Sequence, residues 1–341
     1  MYHWLCALPW LCWVIDASPG NGHCAVMTLN PPGQDADDRN LRARQRLWRQ
    51  QVPFFDVVRW VVGLAGLSPG MQVLDAGCGN GQYLRALAAH PVRAAGCDLS
   101  TGMLRSPTHP ALFCADVAAL PVRDGAFDVV LAAHMLYHVP DRRAAVRELR
   151  RVLAPGGTCV AVTNGANHLL PLRGLVERVA SRAAPGWHME PATRAVTAEN
   201  AAPQLAQAFG SVSCVRPARQ APVVIRDATV AADYVASWAG FYQDQIPRPW
   251  ADIVTEVRQE VQGVIAGRAP SRFPVTLPPL CAAEGRSLCL QRGAPPGGHN
   301  RQAGKPGSSR KTARKQSRIC DLRVSANRRS GAGTGGWWRH S

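Results

Sequence analysis

Lysine is missing from the first 304 residues of this 341-residue chain, although its formal net charge is +16. The lysines, Lys305, Lys311 and Lys315, all lie in the segment 267–341, which carries a net charge of +13. The residues before it are close to neutral and lack the basic excess typical of nucleic-acid binding. Because the segment 267–341 also shows almost no apolar periodicity, we expect a disordered tail or a reading frame assigned in error.

Long apolar runs are also lacking. The run at residues 4–15 has twelve residues, whereas a membrane-spanning helix needs about 20. Only His3 precedes this run, so the basic region of a signal peptide is missing too. We therefore predict that residues 1–39 are a doubtful N-terminal extension and that translation starts at or near Met27. We expect a cytoplasmic protein without a membrane span.

Paired cysteines are absent as well, because none of the eleven cysteines belongs to a CxxC motif. This spacing indicates neither a zinc ribbon nor a disulfide framework. Five cysteines in the body of the chain lie within or beside apolar runs and are predicted to be small buried hydrophobic residues. They are Cys78, Cys97, Cys114, Cys159 and Cys214.

Short apolar runs that alternate with helical patterns are what the chain does contain. The runs occupy residues 71–76, 92–98, 111–116, 127–133 and 157–163, and the clearest helices between them residues 82–90 and 141–153. Strands separated by helices favour right-handed crossovers and a parallel sheet that is covered on both faces. We therefore predict a doubly wound α/β domain over residues 71–266.

Further helices are predicted on either side of the clearest alternation, at residues 40–50, 54–67, 200–209, 227–238 and 250–265. Residues 40–70 would cover the site. Residues 165–196 contain Gly, Pro, His and Trp and are expected to form a loop-rich cover. The short runs 211–215 and 221–225 are only five residues apart, so they should pair antiparallel.

Three aspartates close or follow consecutive predicted strands. Asp75, Asp98 and Asp116 should meet at the carboxyl edge of the sheet, beside a turn at residues 77–81 that contains three glycines. The turn lacks the lysine of a P-loop, and Gln82 stands where the dinucleotide fingerprint GxGxxG needs its last glycine. Carboxylates beside the turn would repel a pyrophosphate, but they suit a cationic ligand that carries a ribose.

These segments resemble the motifs of class I S-adenosylmethionine-dependent methyltransferases with a type 11 methyltransferase domain. In chain order they are VLDAGCGNGQYL (73–84), GCDLSTGML (96–104), CADVAALP (114–121), FDVVLAAHMLYHVPD (127–141) and ELRRVLAPGGTCVAVTN (148–164). The resemblance spans residues 40–240. It implies a Rossmann-like, mostly parallel seven-stranded sheet with an antiparallel last strand. It also implies methyl transfer from S-adenosylmethionine to a small-molecule acceptor by in-line displacement.

The resemblance further implies which residues hold the methionine part of the cofactor. Four residues of the turn would face it through their backbone, namely Gly77, Cys78, Gly79 and Gly81. Asp75 would help to hold the ammonium group, and Ala133 would lie near the carboxylate or the sulfonium.

The nucleoside part would fall to four other residues. Asp98 would accept hydrogen bonds from both ribose hydroxyls, and Leu99 would pack on the adenine. Asp116 would accept from the adenine amino group, and the backbone N–H of Val117 would donate to the ring.

No catalytic residue is evident from the sequence. His134 and His138 are four residues apart, but no Glu lies between them and no third ligand is apparent, so no metal is predicted. Either histidine is a candidate for a general base or for a wall of the substrate pocket. Three alternatives stay open: an RNA or protein methyltransferase that uses the basic tail, a catalytically defective cofactor-binding member, and an NAD-dependent oxidoreductase. The sequence indicates no oligomeric state.

Overall fold

Parallel strands form the centre of the protein. The computed structural model describes residues 36–107, 109, 111–210, 212–217, 222–267 and 287–292. The five parallel strands are β1 (Gln72–Ala76), β2 (Arg93–Asp98), β3 (Leu112–Cys114), β4 (Phe127–Ala133) and β5 (Leu153–Thr163). Their spatial order is β3-β2-β1-β4-β5. The chain thus reverses its direction of winding between β1 and β4, which confirms the predicted doubly wound arrangement and opens a crevice at the carboxyl ends.

Helices cover both faces of this sheet and its carboxyl edge. In chain order they are α1 (Arg39–Trp48), α2 (Val57–Leu64), α3 (Gln82–Leu87), α4 (Arg142–Arg151), α5 (Leu170–Ala180), α6 (Ala201–Ala206), α7 (Ala228–Ala236), α8 (Ala239–Tyr242) and α9 (Trp250–Ile265). Asp141 caps α4, because its carboxylate accepts a 2.9 Å hydrogen bond from the Ala144 N–H. None of the helices in the described residues is long and apolar enough to cross a membrane.

Alternation along each strand divides the core into layers. Leu74 of β1 and Val130 of β4 pack with Leu149 of α4 on one face of the sheet. Val73 and Leu131 lie on the other face, with α2 and α3. A third cluster joins α1, α5, α7, α8 and α9, and this helical layer places α1 and α7 near the crevice. Each helix therefore buries one apolar face, as the helical spacing in the sequence requires.

Two predictions about strands were wrong: that residues 221–225 form a strand, and that residues 211–215 pair with them. Residues 211–215 contribute β6 (Ser213–Val215), but this strand pairs antiparallel with β7 (Ser287–Arg292), and not with residues 221–225. The backbone of residues 222–224 instead bonds to residues 50–52, with an isolated bridge between Gln51 and Val223. Short separation in sequence suggested the wrong partner, because β7, which also pairs with β5, comes from much later in the chain.

The predicted loop-rich cover at residues 165–196 contains the 11-residue helix α5. Pro171 and Gly174 hide its pattern in the sequence, but Pro is tolerated in the first helical turn, and Leu172, Leu175 and Val176 are buried on one face. Strand β5 also begins earlier than predicted, at Leu153, with a register irregularity before Thr158. The chain therefore continues from α4 directly into β5.

The predicted buried cysteines are only partly confirmed. Cys78, Cys97 and Cys159 are buried, Cys114 is half-buried, and Cys214 in β6 is exposed. Of the predicted tail, residues 287–292 form β7. The remainder of residues 268–341, like the predicted N-terminal extension up to residue 35, lies outside the described residues.

Candidate functional site

A cavity of about 510 Å³ lies at the carboxyl ends of the parallel strands. This volume is in the range of small-molecule sites. Eight of the ten residues predicted to hold a cofactor line it, namely Gly77, Cys78, Gly79, Asp98, Leu99, Asp116, Val117 and Ala133. The other two, Asp75 and Gly81, lie outside its lining. The fold therefore brings eight of the ten residues that were predicted from the sequence to the same cavity.

The turn at residues 77–81, called the glycine turn below, connects β1 to α3. Gly77 and Gly81 have φ values of +71° and +72°, a region that residues with a Cβ atom rarely adopt. A Cβ atom at Gly77 would lie 2.7 Å from Cβ of Met135, and one at Gly81 would lie 2.6 Å from Cβ of Pro107. The backbone conformation and the contact with Pro107 both require glycine at position 81. These two constraints explain why a glycine stands there although it does not line the cavity.

Asp98 closes β2 beside the glycine turn. Its Oδ2 accepts a 2.8 Å hydrogen bond from the Gly79 N–H, and its Oδ1 accepts a 2.9 Å bond from the Ser100 N–H. A carboxylate oxygen can accept more than one hydrogen bond. The two backbone bonds fix the carboxylate in one orientation at the cavity wall, where it can receive a pair of hydroxyl groups.

Asp116 lies two residues beyond β3 on the same wall. Its Oδ1 accepts a 2.8 Å hydrogen bond from the Ala118 N–H. The N–H of Val117 between them has no hydrogen-bond partner among the described residues. A carboxylate beside a free N–H offers one acceptor and one donor, which is the pattern that recognises an amino group next to a ring nitrogen.

Asp75 is buried within β1, with 1% of its surface exposed. Neither of its carboxylate oxygens has a hydrogen-bond partner in the described part of the chain. Burial and, to a smaller extent, the charge of Asp98 raise the pKa of Asp75 to about 8. At neutral pH this group therefore holds a proton in the folded protein.

Two side-chain amides, those of Gln45 and Asn80, connect helix α1 to the glycine turn by hydrogen bonds. Gln45 Nε2 donates to Asn80 Oδ1, and Asn80 Nδ2 donates back to Gln45 Oε1, both over 3.0 Å. Gln45 Nε2 also lies 3.2 Å from Oε1 of Gln82, the residue that breaks the dinucleotide fingerprint. The sequence predicted that residues 40–70 cover the site, but it gave no sign of these contacts.

The two histidines predicted as candidates both line the cavity. His134 follows β4 with φ +58°, a conformation uncommon for a residue with a side chain, and its N–H donates to the Val162 carbonyl. Burial and, next, the charge of Arg44 lower the pKa of His138, so its imidazole is neutral at pH 7. No group of three or more His, Cys, Asp or Glu side chains suited to a metal lies within the described ranges.

The cavity is also lined by aromatic rings, most of which the sequence did not single out. We call them the ring cluster: Trp48, Tyr137, His138, His168, Tyr234 and Phe241. Trp48 stacks on His168 with centroids 5.1 Å apart, and His138 lies between Tyr137 and Phe241. These residues come from α1, α7, α8, the 3-10 helix Leu136–His138 and the loop before α5, so no single local sequence pattern contains them.

A protein-family model described as a methyltransferase domain matches residues 74–161. The matched segment runs from β1 through most of β5 and contains the glycine turn, Asp98 and Asp116. Residues 74–161 of this chain therefore resemble a methyltransferase domain. The matched residues contribute β1 to β4, most of β5, and Asp98 and Asp116 of the cavity lining, whereas α1, α5, α7 and α8 lie outside the match.

Curated relatives of the methyltransferase domain are methyltransferases with different acceptors. The chain is 36% identical over 107 residues to demethylmenaquinone methyltransferase of Corynebacterium urealyticum. This alignment covers 31% of this chain and 46% of that protein. The chain is 34% identical over 122 residues to malonyl-[acyl-carrier protein] O-methyltransferase of Serratia marcescens, covering 34% and 48%. The chain thus spans about half the length of the curated relatives that it matches.

Solved structures extend the likeness in fold beyond the methyltransferase domain. A structure from Anabaena variabilis, described as a methyltransferase of an antibiotic biosynthesis pathway, aligns with 71% of this chain and 97% of its own. The TM-score is 0.50 and the identity 17%. This comparison supports the Rossmann-like arrangement of the strands and says nothing of the acceptor.

Proposed function

We propose that this protein transfers a methyl group from S-adenosylmethionine to a small-molecule acceptor. The observation that carries the proposal is the fixed Asp98 carboxylate beside the glycine turn, on the same cavity wall as Asp116 and Val117. The methyltransferases among its relatives match this part of the chain. Because the match covers only about half of each of those relatives, their acceptors are not transferred to this protein.

The residues present fit the cofactor. Both oxygens of Asp98 accept from backbone N–H groups, and a carboxylate fixed in this way on the cavity wall suits the two hydroxyls of a ribose. The N–H of Val117, without a partner in the described residues, and the carboxylate of Asp116 match the donor and acceptor pattern of an adenine edge. Leu99 and Met103 supply apolar surface in the same lining.

When it is bound, S-adenosylmethionine supplies a methyl group that is already activated by its positive sulfur. The protein's own part is then to align the acceptor and to exclude water. Holding two reactants in line contributes up to about 7–11 kcal/mol to a reaction of this kind. Helix α1, fastened through Gln45 and Asn80, closes one side of the cavity for this purpose.

The test is the affinity of Asp98 variants for S-adenosylhomocysteine, measured by isothermal titration calorimetry. Each charge-assisted hydrogen bond contributes about 1.5–3 kcal/mol, so Asp98→Ala should weaken binding at least about tenfold. Asp98→Asn keeps the shape of the side chain and should also weaken binding, which separates the lost charge from lost packing. The exposed residue Asp244 provides a matched control, and Asp244→Asn should bind normally.

Unchanged affinity in both Asp98 variants would contradict the proposal. A parallel titration with NAD addresses the oxidoreductase alternative, and binding of NAD without binding of S-adenosylhomocysteine would replace the proposed function. Incubation with a labelled methyl donor and a metabolite extract then identifies the acceptor from the labelled product.

A further inference from the structure

Arg44 of α1 lines the cavity and has no acidic partner in the described part of the chain. Other arginines of the same helix do have one. Arg42 Nε lies 2.6 Å from Oδ2 of Asp38, and Arg46 Nη2 lies 2.9 Å from Oδ2 of Asp233. These two carboxylates therefore balance other arginines, and the charge of Arg44 is left without a counter-ion among the described residues.

The guanidinium of Arg44 is held in place by the end of α7 and by an aromatic ring. Its Nε donates to the Ser237 hydroxyl over 3.1 Å, and its Nη2 donates to the Ser237 carbonyl over 2.9 Å. Its Cζ lies 5.7 Å from the centroid of the Phe241 ring. A guanidinium has five N–H groups, and these two bonds occupy two of them, so three have no acceptor among the described residues. The group is thus oriented and retains donors for a ligand.

His138 and Tyr242, two titratable groups close to Arg44, are both uncharged at neutral pH. Burial and, next, the charge of Arg44 lower the pKa of His138 to about 4. Burial raises the pKa of the Tyr242 hydroxyl above its usual value. The Ser237 carbonyl, at the end of α7, contributes only the partial negative charge of a helix terminus. The immediate surroundings of Arg44 are therefore positive.

The aspartates that line the cavity are engaged elsewhere. Asp56 caps α2, where it accepts a 2.9 Å hydrogen bond from the Arg59 N–H. Asp98 and Asp116 accept from backbone N–H groups beside β2 and β3. None of the three forms an ion pair with Arg44 in the described residues. A ligand in the cavity therefore meets a cation that no side chain of the lining neutralises.

Helix α1 faces the cavity with residues at helical spacing, and this face has two flanks. The residues are Leu41, Arg44, Gln45 and Trp48. Successive residues of a helix are about 100° apart, so Arg44 and Gln45 lie on opposite flanks. Gln45 bonds to the glycine turn, whereas Arg44 bonds to the end of α7. Because the methionine part of the cofactor is expected at the glycine turn, the flank of Arg44 is left for the acceptor.

We propose that Arg44 binds a carboxylate group of the acceptor, so that the acceptor is an organic acid. This inference rests on the proposed function, because it names the acceptor class of the same cavity. A guanidinium and a carboxylate are both planar and can form two parallel hydrogen bonds. One guanidinium balances one negative charge, which suits a carboxylate better than a phosphate monoester with a charge of about −1.5 to −2. An anion held at Arg44 would orient the acceptor for in-line displacement.

The experiment compares acids with their uncharged amides on protein saturated with S-adenosylhomocysteine. Isothermal titration calorimetry at pH 7 measures the binding of phenylacetate and octanoate, a ring and a flexible chain, and of the corresponding primary amides. The wild type should bind at least one acid about tenfold more tightly than its amide, because a charge-assisted hydrogen bond contributes at least that factor. Arg44→Gln should abolish this preference and leave the affinity for the amide unchanged. Failure of both acids to bind the wild type at concentrations up to about 10 mM would overturn the proposal.

The cofactor also carries a carboxylate, and two nucleosides distinguish it from that of an acceptor. S-adenosylhomocysteine has the amino-acid carboxylate, whereas 5′-methylthioadenosine lacks it. Arg44→Gln should bind both as tightly as the wild type does. An affinity at least about tenfold lower for S-adenosylhomocysteine alone would assign Arg44 to the cofactor and overturn its role towards the acceptor.

Arg46 provides the matched control, because it lies on the same helix, pairs with Asp233 and does not line the cavity. Arg46→Gln should bind acids and amides as the wild type does. Arg44→Lys keeps the charge but loses the planar fork, so its affinity for the acid should be intermediate. An equal loss in Arg44→Gln and Arg46→Gln, or an equal effect of Arg44→Gln on acid and amide, would refute the role of Arg44.

Activity gives an independent measurement. When a metabolite extract is divided by anion exchange at pH 7, incubation with the labelled methyl donor should label a product only from the fraction that contains organic acids. Labelling confined to the neutral and cationic fraction would overturn the acceptor class and leave the proposed function intact. Failure of the wild type to bind S-adenosylhomocysteine would overturn the proposed function itself.

Discussion

Replacing Asp75 with asparagine should change how the stability of this protein depends on pH. The side chain is buried in β1, and both carboxylate oxygens lack a hydrogen-bond partner among the described residues. Burial raises its pKa from 3.8 to about 8. Between about pH 4 and pH 8 the folded protein therefore holds a proton that the unfolded chain has released.

The sign and the size of the effect follow from this difference. Where the folded state binds more protons than the unfolded state, raising the pH favours unfolding. The free energy of unfolding of the wild type should therefore fall as the pH rises from about 4 to about 8. A shift of this size corresponds to at most about 6 kcal/mol. Asparagine has nearly the same shape but carries no charge at any pH, so Asp75→Asn should remove most of this decline.

Urea unfolding at a series of pH values between 4 and 8.5, followed by circular dichroism, measures the decline directly. Wild type and Asp75→Asn should converge near pH 4 and diverge towards pH 8, with the variant the more stable at the upper end. Asp244→Asn, which alters an exposed carboxylate, should keep the wild-type slope. Parallel curves for wild type and Asp75→Asn across the whole range would refute the reasoning.

Two further substitutions test the glycine turn and the support of β4. Gly77→Ala should lower the melting temperature and weaken S-adenosylhomocysteine binding, because the new Cβ would lie 2.7 Å from Cβ of Met135 at φ +71°; strain of this kind costs about 1–3 kcal/mol. Arg151→Met should lower the free energy of unfolding in urea by about 1–3 kcal/mol and leave S-adenosylhomocysteine binding unchanged. Arg151 donates to Glu148 over 2.7 Å and to the Val122 carbonyl over 2.6 Å, in the segment that precedes β4.

Matched variants make both results interpretable. Gly63 lies in α2 with open space around its Cβ position, so Gly63→Ala should be neutral or stabilising. An equal loss in Gly63→Ala and Gly77→Ala would argue against a special conformation at Gly77. Arg147 is exposed on α4, and Arg147→Met should unfold as the wild type does. A silent Arg151→Met would show that its hydrogen bonds contribute nothing measurable.

The sequence predicted the parts of the fold that local patterns determine. The apolar runs and the helical spacing between them predicted β1 to β4 and α4 closely, because both patterns follow from burial within a few residues. Pairing between distant segments was not predictable in this way. Proximity in sequence suggested that residues 221–225 would pair with residues 211–215, whereas β6 pairs with β7. Helix α5 was missed because Pro171 and Gly174 interrupt its pattern.

The candidate site likewise contains residues that local patterns predicted and residues that they did not. Eight of its predicted residues line the cavity because the ends of successive parallel strands must meet at one edge. Their roles towards the cofactor stay predictions until the Asp98 variants are measured. The ring cluster could not be predicted, since Trp48, His168 and Phe241 are brought together only by the packing of helices outside the sheet. The positions of the ring-cluster residues depend on tertiary packing and not on a sequence motif.

The double amide contact between Gln45 and Asn80 has a thermodynamic consequence. The same helix carries Trp48, which stacks on His168, and Arg44, which lies over the Phe241 ring, so a ligand that stabilises the glycine turn also stabilises the ring cluster. Occupancy of either half should then raise affinity at the other. Such coupling is reciprocal, which means that the two ligands strengthen each other by the same factor. A short helix would thereby favour assembly of the ternary complex over either binary one.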